Sequence, residues 1–293
     1  MIAMILKSSL NQSAAWGRRR KGRIAMLSLV VWAGLVISAG SDDAPPYKRN
    51  LPFAPGERLS YDLRWTIVPA GHAVLEVLPM ALIDGQQAYH FRLTVKSNAF
   101  VDLIYKVRDR IDSYVDQEVT HALRYLKKQE EGEHRRNESV EFDWAAGVAH
   151  RDNGEKQTTT ELPSGTFDPL SAFYYVRTLT FTENDVLKRP VTDGVTTIVG
   201  RARVVKRQVI ELVDDSYDTY LLEPSMEKIG GVFEKEKGAK IKLWVTADHR
   251  HIPVKIASKV SIGHFVGELV GIETASKSLD KTAHGQHNRA VNR

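Results

Sequence analysis

The strongest constraint on the fold is an alternation of apolar and polar residues that recurs through the chain. Leu59, Tyr61, Leu63, Trp65 and Ile67 are every second residue of one segment. Because successive side chains of a β-strand point to opposite faces of a sheet, this spacing is typical of a strand with one buried face. The turn-like residues PAG follow and the alternation then resumes, which predicts a β-hairpin.

The same pattern continues toward the C-terminus in short segments rich in β-branched and aromatic residues. Examples are AYHFRLTVKS, SVEFDW and AKIKLWVTAD, and polar stretches such as EGEHRRN separate them. Short strands that follow one another with turns between them form antiparallel meanders. The sequence therefore predicts a mainly β fold built on a large curved antiparallel sheet, either a partly open barrel or a sandwich.

One segment departs from this alternation. In TFDPLSAFYYVRTL, Asp168 precedes Pro169, an order typical of a helix N-cap followed by the first helical residue. Leu170 and Phe173 then fall near helical spacing. We predict one main helix from about Pro169 to Leu179. In a curved sheet this helix would fill the concave face, whereas in a two-sheet sandwich it would be a crossover.

The two ends of the chain differ from the region between them. Residues 1–40 begin with a basic segment, continue with an uncharged apolar run and end in small residues, which predicts a secretory signal peptide and a periplasmic location. An uncleaved inner-membrane anchor is the alternative. Residues 41–55 are predicted to be a linker, residues 56–275 a single β-rich domain, and residues 276–293 a disordered tail.

The positive charge of the chain lies mainly in its first forty residues. The formal net charge is +5, from 41 basic and 36 acidic residues. Six of the basic residues and no acidic residue precede position 41, so the two signs nearly balance in the remainder. This balance argues against a nucleic-acid-binding protein. The absence of cysteine excludes disulfides, thiol catalysis and thiolate zinc sites.

Few residue clusters suggest catalysis or metal binding. His249 and His251 could bind a metal together with Asp248, although a polar hairpin turn explains the same residues. Asp109 and Asp112 could act as a general acid and base, although such carboxylates are usually solvated. The sequence has no nucleophile elbow, P-loop or dinucleotide fingerprint. We predict a protein that is not an enzyme and has no cofactor or metal; an unrecognised hydrolase is the alternative.

Aromatic residues are distributed over the predicted strands and helix. They would either close the core or line a cavity for an apolar ligand, because a curved sheet of this length encloses more volume than one helix fills. The candidate cavity residues are Tyr61, Trp65, Phe91, Phe173, Tyr174 and Trp244. Basic residues alternate with the aromatic ones and would either face solvent or hold an anionic head group. They are Arg64, Arg92, Arg177 and Lys242.

Three separated motifs resemble a family of exported bacterial proteins known as domain of unknown function 3108. They are LPFAPGERLSYDLRW with the following IVPAGHAVLEV, the central FDPLSAFYYVR, and LWVTADHRHIPVKIASKVSIGHFVGEL. The resemblance extends from about Phe53 to Gly271, which is nearly the whole predicted domain. It implies export to the cell envelope, a β-rich fold with a curved sheet, and no established activity.

These observations lead to two functional hypotheses of different classes. The first is a periplasmic protein that binds an amphiphilic or apolar envelope component, such as a lipid, a lipoprotein acyl chain or a glycan precursor, inside the curved sheet with the helix as a lid. The second is an envelope scaffold or assembly factor that binds protein partners without a ligand. A ligand carrier requires an internal apolar cavity, whereas a scaffold does not.

Overall fold

The computed structural model describes residues 50–213, 215–225, 241–259 and 264–274. Within these residues the chain forms fourteen strands and two helices. The strands are β1 (Arg58–Trp65), β2 (Val68–Ile83), β3 (Gln86–Ser97), β4 (Arg108–Asp116), β5 (Ala122–Glu131), β6 (His134–Asp143), β7 (Val148–Asp152), β8 (Gln157–Glu161), β9 (Val186–Thr192), β10 (Thr197–Glu211), β11 (Ser216–Ser225), β12 (Ile241–Thr246), β13 (Pro253–Lys259) and β14 (His264–Glu273). The helices are α1 (Ala99–Asp102) and α2 (Pro169–Arg177).

The fourteen strands form one antiparallel sheet in the order β8-β7-β6-β5-β4-β3-β2-β1-β14-β13-β12-β11-β10-β9. Strand β1 pairs with both β2 and β14, so the first and last strands of the domain meet in the middle of the sheet. The sheet is not closed, because β8 and β9 are its two edges. The predicted mainly β fold with a large antiparallel sheet is confirmed, and it takes the form of a partly open barrel rather than a sandwich.

Strand β1 shows why the alternation in the sequence was informative. Leu59, Tyr61 and Leu63 are buried on the inner face, as the spacing predicts. The pattern ends at the β1–β2 turn, where Trp65 is 52% exposed and Ile67 is 85% exposed. Both residues lie where the two strands extend beyond the core, so at these positions an apolar residue does not indicate a buried side chain.

Helix α2 is the predicted main helix, and it begins at the predicted residue. The carboxylate of its N-cap Asp168 accepts hydrogen bonds from the backbone N–H groups of Leu170 (2.8 Å) and Ser171 (3.0 Å), as an N-cap should. Asp168 also accepts a hydrogen bond from the Ser113 hydroxyl of β4 at 2.6 Å, which ties the helix start to the sheet. The helix ends at Arg177, two residues before the predicted end.

The inner face of α2 packs on the concave side of the sheet. The ring of Tyr174 is stacked on Phe91 of β3 with centroids 3.9 Å apart, and Phe53 meets both rings edge-on. Tyr174 and Phe91 are completely buried. Aromatic pairs in these geometries stabilise a core beyond the burial of their area. The helix therefore fills part of the concave space and packs against β3, β4 and the segment that precedes β1.

Two side-chain hydrogen bonds connect the opposite edges of the sheet. The Thr158 hydroxyl of β8 donates to the carbonyl of Gly194 in the β9–β10 turn (3.2 Å), and the Thr197 hydroxyl of β10 donates to the carbonyl of Glu161 (2.8 Å). We call this contact between the edges the seam. Gly194 has a φ of +82°, and a Cβ at this position would lie 2.7 Å from the Cβ of Arg151. The turn therefore fits against β7 only because residue 194 has no side chain.

The variant Gly194→Ala is expected to lower the free energy of unfolding by about 1–3 kcal/mol, the range for overpacking a tight site. The matched control is Gly154→Ala, because Gly154 also has a φ of +82° but has no atom within 4 Å of the added Cβ. Urea unfolding of the two variants measures the cost of the clash as the difference between them. Equal losses in both variants would show that the turn can move away from β7.

The remaining predictions about the ends of the chain concern residues outside those described. The predicted signal peptide of residues 1–40, most of the predicted linker and the predicted tail of residues 276–293 lie there and stay predictions. In the part of the chain that the structure describes, no helix has the length and apolar character needed to cross a bilayer.

Candidate ligand cavity

A cavity of about 160 Å³ lies between α2 and the concave face of strands β9 to β13. The helix contributes Ala172, Phe173 and Val176 to its wall. The strand residues that line it are mostly aliphatic: Leu187, Val191, Ala202, Leu222, Leu243 and Ile256. The cavity therefore lies on the side of α2 that faces β9 to β13, and its wall is mostly apolar.

The cavity exists because strand β10 carries small residues at its inner positions. Gly200 lies opposite Arg189 of β9, and Ala202 lies opposite Leu187. Larger aliphatic side chains at these two positions would extend toward α2 and fill the space. Gly200 itself has little room, since a Cβ there would lie 3.1 Å from Cγ2 of Val191. Ala202 is the better position at which to change the volume of the cavity.

Arg189 brings a positive charge to this apolar wall. Its Nη2 donates a hydrogen bond to the Tyr175 hydroxyl at 2.5 Å, and its guanidinium carbon lies 4.5 Å from the centroid of the Tyr175 ring. Its Nε is buried and has no hydrogen-bond partner. Among the described residues, no carboxylate forms an ion pair with Arg189, and no Asp or Glu lines the cavity.

The six aromatic residues predicted to line a cavity do not all surround one space, although Tyr174 contacts both Phe91 and Phe173. Phe173 lines the cavity described above. Phe91, Tyr174 and Tyr61 are buried in the core, where the Tyr61 hydroxyl donates to the carbonyl of Pro253 at 2.7 Å. Trp65 is exposed at the β1–β2 turn. Trp244 is partly buried beside Lys255, whose ammonium nitrogen lies 5.9 Å from the ring centroid.

Three of the four basic candidates for an anion site are paired with acids. Arg64 pairs with Glu268, Arg92 pairs with Asp112, and Arg177 pairs with Glu57 in the core. The fourth candidate, Lys242, is partly buried on β12. Arg189, which lines the cavity, was not among the residues predicted from the sequence. Its signal was the alternation of Leu187, Arg189 and Val191 in LKRPV, which places the arginine on the same face as two apolar residues.

The acids Asp109 and Asp112 lie on opposite faces of β4 and do not form a pair. Asp112 accepts hydrogen bonds from His90 (2.7 Å), Arg92 (2.7 Å) and Arg110 (2.6 Å). Although burial opposes this effect, these bonds lower the pKa of Asp112 to about 2. Asp109 faces Glu131 of β5, and burial together with the nearby Glu131 charge raises the pKa of Asp109 to about 8. Both carboxyl groups are buried, so the expectation that they are solvated is wrong.

The segment from Asp248 to His251 forms the turn between β12 and β13. Arg250 donates from its Nε to Asp248 at 2.9 Å, and His251 is stacked on Phe181 with centroids 4.4 Å apart. Burial lowers the pKa of His251. Across the described ranges, no three His, Asp or Glu side chains are placed to hold a metal ion. The arrangement is the polar turn considered in the sequence analysis.

The sheet, the internal helix and the apolar cavity together define a β-barrel-like protein with an open antiparallel sheet. The model of the family described as "Protein of unknown function (DUF3108)" matches residues 60–270, and the chain belongs to this family. The resemblance inferred from the three sequence motifs is thereby confirmed. No curated protein matches the chain.

The solved structures that resemble the chain include the following two. The first is a β-barrel-like protein of domain of unknown function DUF1849 from Brucella abortus, with a TM-score of 0.50 and 12% identity over 76% of this chain and 98% of that one. The second is described as a candidate lipoprotein from Parabacteroides distasonis, with a TM-score of 0.31 and 9% identity over 76% of this chain and 97% of that one. The first similarity supports the barrel-like fold and says nothing of function.

Proposed function

We propose that this protein binds an apolar or amphiphilic component of the cell envelope in the cavity between α2 and strands β9 to β13. The observation that carries the proposal is the cavity of about 160 Å³ with an apolar wall. An apolar protein cavity of roughly 150 Å³ stays dry and takes up small apolar molecules. Burial of an alkyl segment there would contribute about 0.8 kcal/mol per methylene group.

In this proposal α2 is a fixed wall of the binding site rather than a lid. Asp168 attaches the start of the helix to Ser113 of β4. Arg177 attaches its end to Glu57. Tyr174, between them, is completely buried against Phe91. Movement of the helix would break all three contacts, so a ligand would enter without displacing α2.

The proposed site of action is the periplasm. This location rests on the signal peptide predicted for residues 1–40. A mature protein released there would meet lipids and lipoproteins of both membranes.

Mass spectrometry tests the proposed ligand directly. The mature protein is purified from the periplasm without detergent and measured under native and denaturing conditions. We expect a stoichiometric extra mass in the native spectrum that is extracted by organic solvent. A bare protein mass after gentle purification would contradict the proposal. The same spectra give the mature N-terminus.

The variant Ala202→Phe is expected to lose this ligand, because the added ring would occupy the cavity that Ala202 lines. The matched control is Val199→Phe on the same strand, where the side chain is 57% exposed. Native mass spectrometry and circular dichroism of both variants compare ligand retention and folding. An unchanged stoichiometry of ligand in folded Ala202→Phe would place the ligand outside this cavity.

A second candidate function is the binding of an envelope protein partner. It is favoured by exposed apolar residues at one end of the sheet, where Ile67 is 85%, Leu103 85% and Ile104 81% exposed. Exposed apolar patches often mark interaction sites. The bare mass that contradicts ligand binding would favour this function, and substitution of Leu103 by Asp would then abolish capture of the partner.

A further inference from the structure

We propose that Arg189 makes the cavity selective for amphiphiles with an anionic head group, such as a carboxylate or a phosphate. The inference rests on the proposed function, since it names the class of ligand that the same cavity would take. The structural basis is a guanidinium group at the edge of an apolar cavity that has no carboxylate partner among the described residues.

The hydrogen-bonding capacity of Arg189 is largely unused. A guanidinium group has five N–H donors, and the side chain of Arg189 makes one described hydrogen bond, to the Tyr175 hydroxyl. Its Nε is buried without any partner. A buried donor without an acceptor is unfavourable by about 1–3 kcal/mol, so an oxygen acceptor placed beside Nε would stabilise the site.

The charges around Arg189 also favour an anion. Lys188 and Arg201 are exposed neighbours that lie directly opposite each other on β9 and β10. Like charges in directly opposed positions of a sheet repel each other. The residues that line the cavity include these two and Arg189 but no acid. Since Lys188 and Arg201 alternate with Arg189 and Ala202, their side chains lie on the other face of the sheet, and Arg189 is the charged residue on the inner face of this wall. No acid among the described residues of the wall offsets its charge, which favours an anion over a cation.

The position of the Arg189 side chain suits the polar head group of an amphiphile rather than its alkyl chain. Arg189 lines the cavity and is half-buried as a residue, so it is neither enclosed in the apolar space nor fully in solvent. The Tyr175 ring covers one face of the guanidinium at 4.5 Å and restrains its orientation. A planar guanidinium held in this way can donate two parallel hydrogen bonds to one carboxylate or phosphate group. An alkyl chain attached to that group would extend into the apolar space below α2.

The test compares two ligands that differ in the head group alone, dodecanoate and dodecan-1-ol. Binding to the delipidated wild-type protein is measured by displacement of a fluorescent fatty-acid probe or by titration calorimetry. We expect dodecanoate to bind about tenfold or more tightly than the alcohol, the effect of hydrogen bonds to a charged group. In Arg189→Met this preference should disappear while affinity for the alcohol stays within about twofold, since the alkyl contacts remain.

The control variant is Arg203→Met, which removes an exposed charge on β10 that does not line the cavity and should keep the preference for dodecanoate. Equal binding of the acid and the alcohol by the wild type would overturn the anion proposal and leave the proposed function standing. Binding of neither ligand would overturn both. Should Arg189→Met fail to fold, Arg189→Lys retains the charge without the planar fork, and an unreduced preference for dodecanoate in that variant would contradict the role of the guanidinium.

Discussion

Replacement of Arg177 by methionine is expected to lower the free energy of unfolding by about 3–5 kcal/mol, the cost of removing one partner from a buried ion pair. Arg177 lies at the end of α2, where its Nη1 and Nη2 donate to the two carboxylate oxygens of Glu57 at 2.6 and 3.0 Å. The two residues are 2% and 6% exposed. Without the guanidinium, the Glu57 carboxylate would remain buried with no counter-charge. Urea denaturation at neutral pH measures the loss.

Two further variants separate the ion pair from the packing of the arginine stem. The double variant Arg177→Met with Glu57→Gln removes both charges, so it should recover a substantial part of the stability lost in Arg177→Met. The exposed pair Arg203 and Glu223 provides the comparison, because Arg203→Met should change stability by less than about 1 kcal/mol. An Arg177→Met variant as stable as Arg203→Met would show that water reaches Glu57 in the folded protein.

Asp109 is expected to make a contribution to stability that is lost as the pH rises from about 4 to about 8. Burial, with the charge of Glu131 adding to it, raises the pKa of Asp109 to about 8 in the folded protein, whereas an unfolded aspartate titrates near pH 3.9. A carboxyl group with a raised folded pKa stabilises the fold only while it is protonated, so its contribution is lost through this interval. Lys127 affects the stability in a separate pH interval. Burial lowers its pKa to about 8 in the folded protein, so its contribution to stability increases as the pH rises above that value.

The variant Asp109→Asn keeps the shape of the protonated acid and cannot ionise, so it should lose the pH dependence between 4 and 8. At pH 8 we expect it to be more stable than the wild type by about 1–3 kcal/mol, the cost of a buried polar group without a partner. Thermal unfolding at several pH values measures both effects. Asp112→Asn on the same strand is the control and should be destabilised at neutral pH, because the pKa of Asp112 is lowered to about 2. The same pH dependence in Asp109→Asn as in the wild type would refute the assignment to Asp109.

The parts of the fold that depend on local sequence were predictable. The alternation around Leu63 follows from strand geometry, and the start of α2 follows from the capping chemistry of Asp168 and Pro169. The relation between Asp109 and Asp112 could also have been read from the sequence. Residues three apart in a regular strand point to opposite faces, so these two acids could not share a site.

The candidate site was less predictable because it depends on small residues brought together by the fold. Phe173 was among the predicted cavity residues and does line the cavity. Gly200 and Ala202 gave no signal in the sequence. Small residues indicate a cavity only when the elements that lie opposite them are known, and one sequence does not show these elements. Arg189 was missed for a related reason. Its proposed role depends on the lack of an acidic neighbour, and neighbours across a sheet cannot be identified from one sequence.

The seam between β8 and the β9–β10 turn has a consequence for self-association. An open sheet ends in strands whose backbone groups are unpaired and can add a strand from a second molecule. Here the hydroxyls of Thr158 and Thr197 use carbonyl groups of the opposite edge, and Phe167 exchanges backbone hydrogen bonds with β9 at Pro190 and Thr192. The seam and the pairing with Phe167 thus cover part of the two edges. A change that separates the two edges, such as Gly194→Ala, would expose the backbone groups of both edge strands to pairing with a second molecule. Increased aggregation of such a variant would then indicate that the barrel has opened.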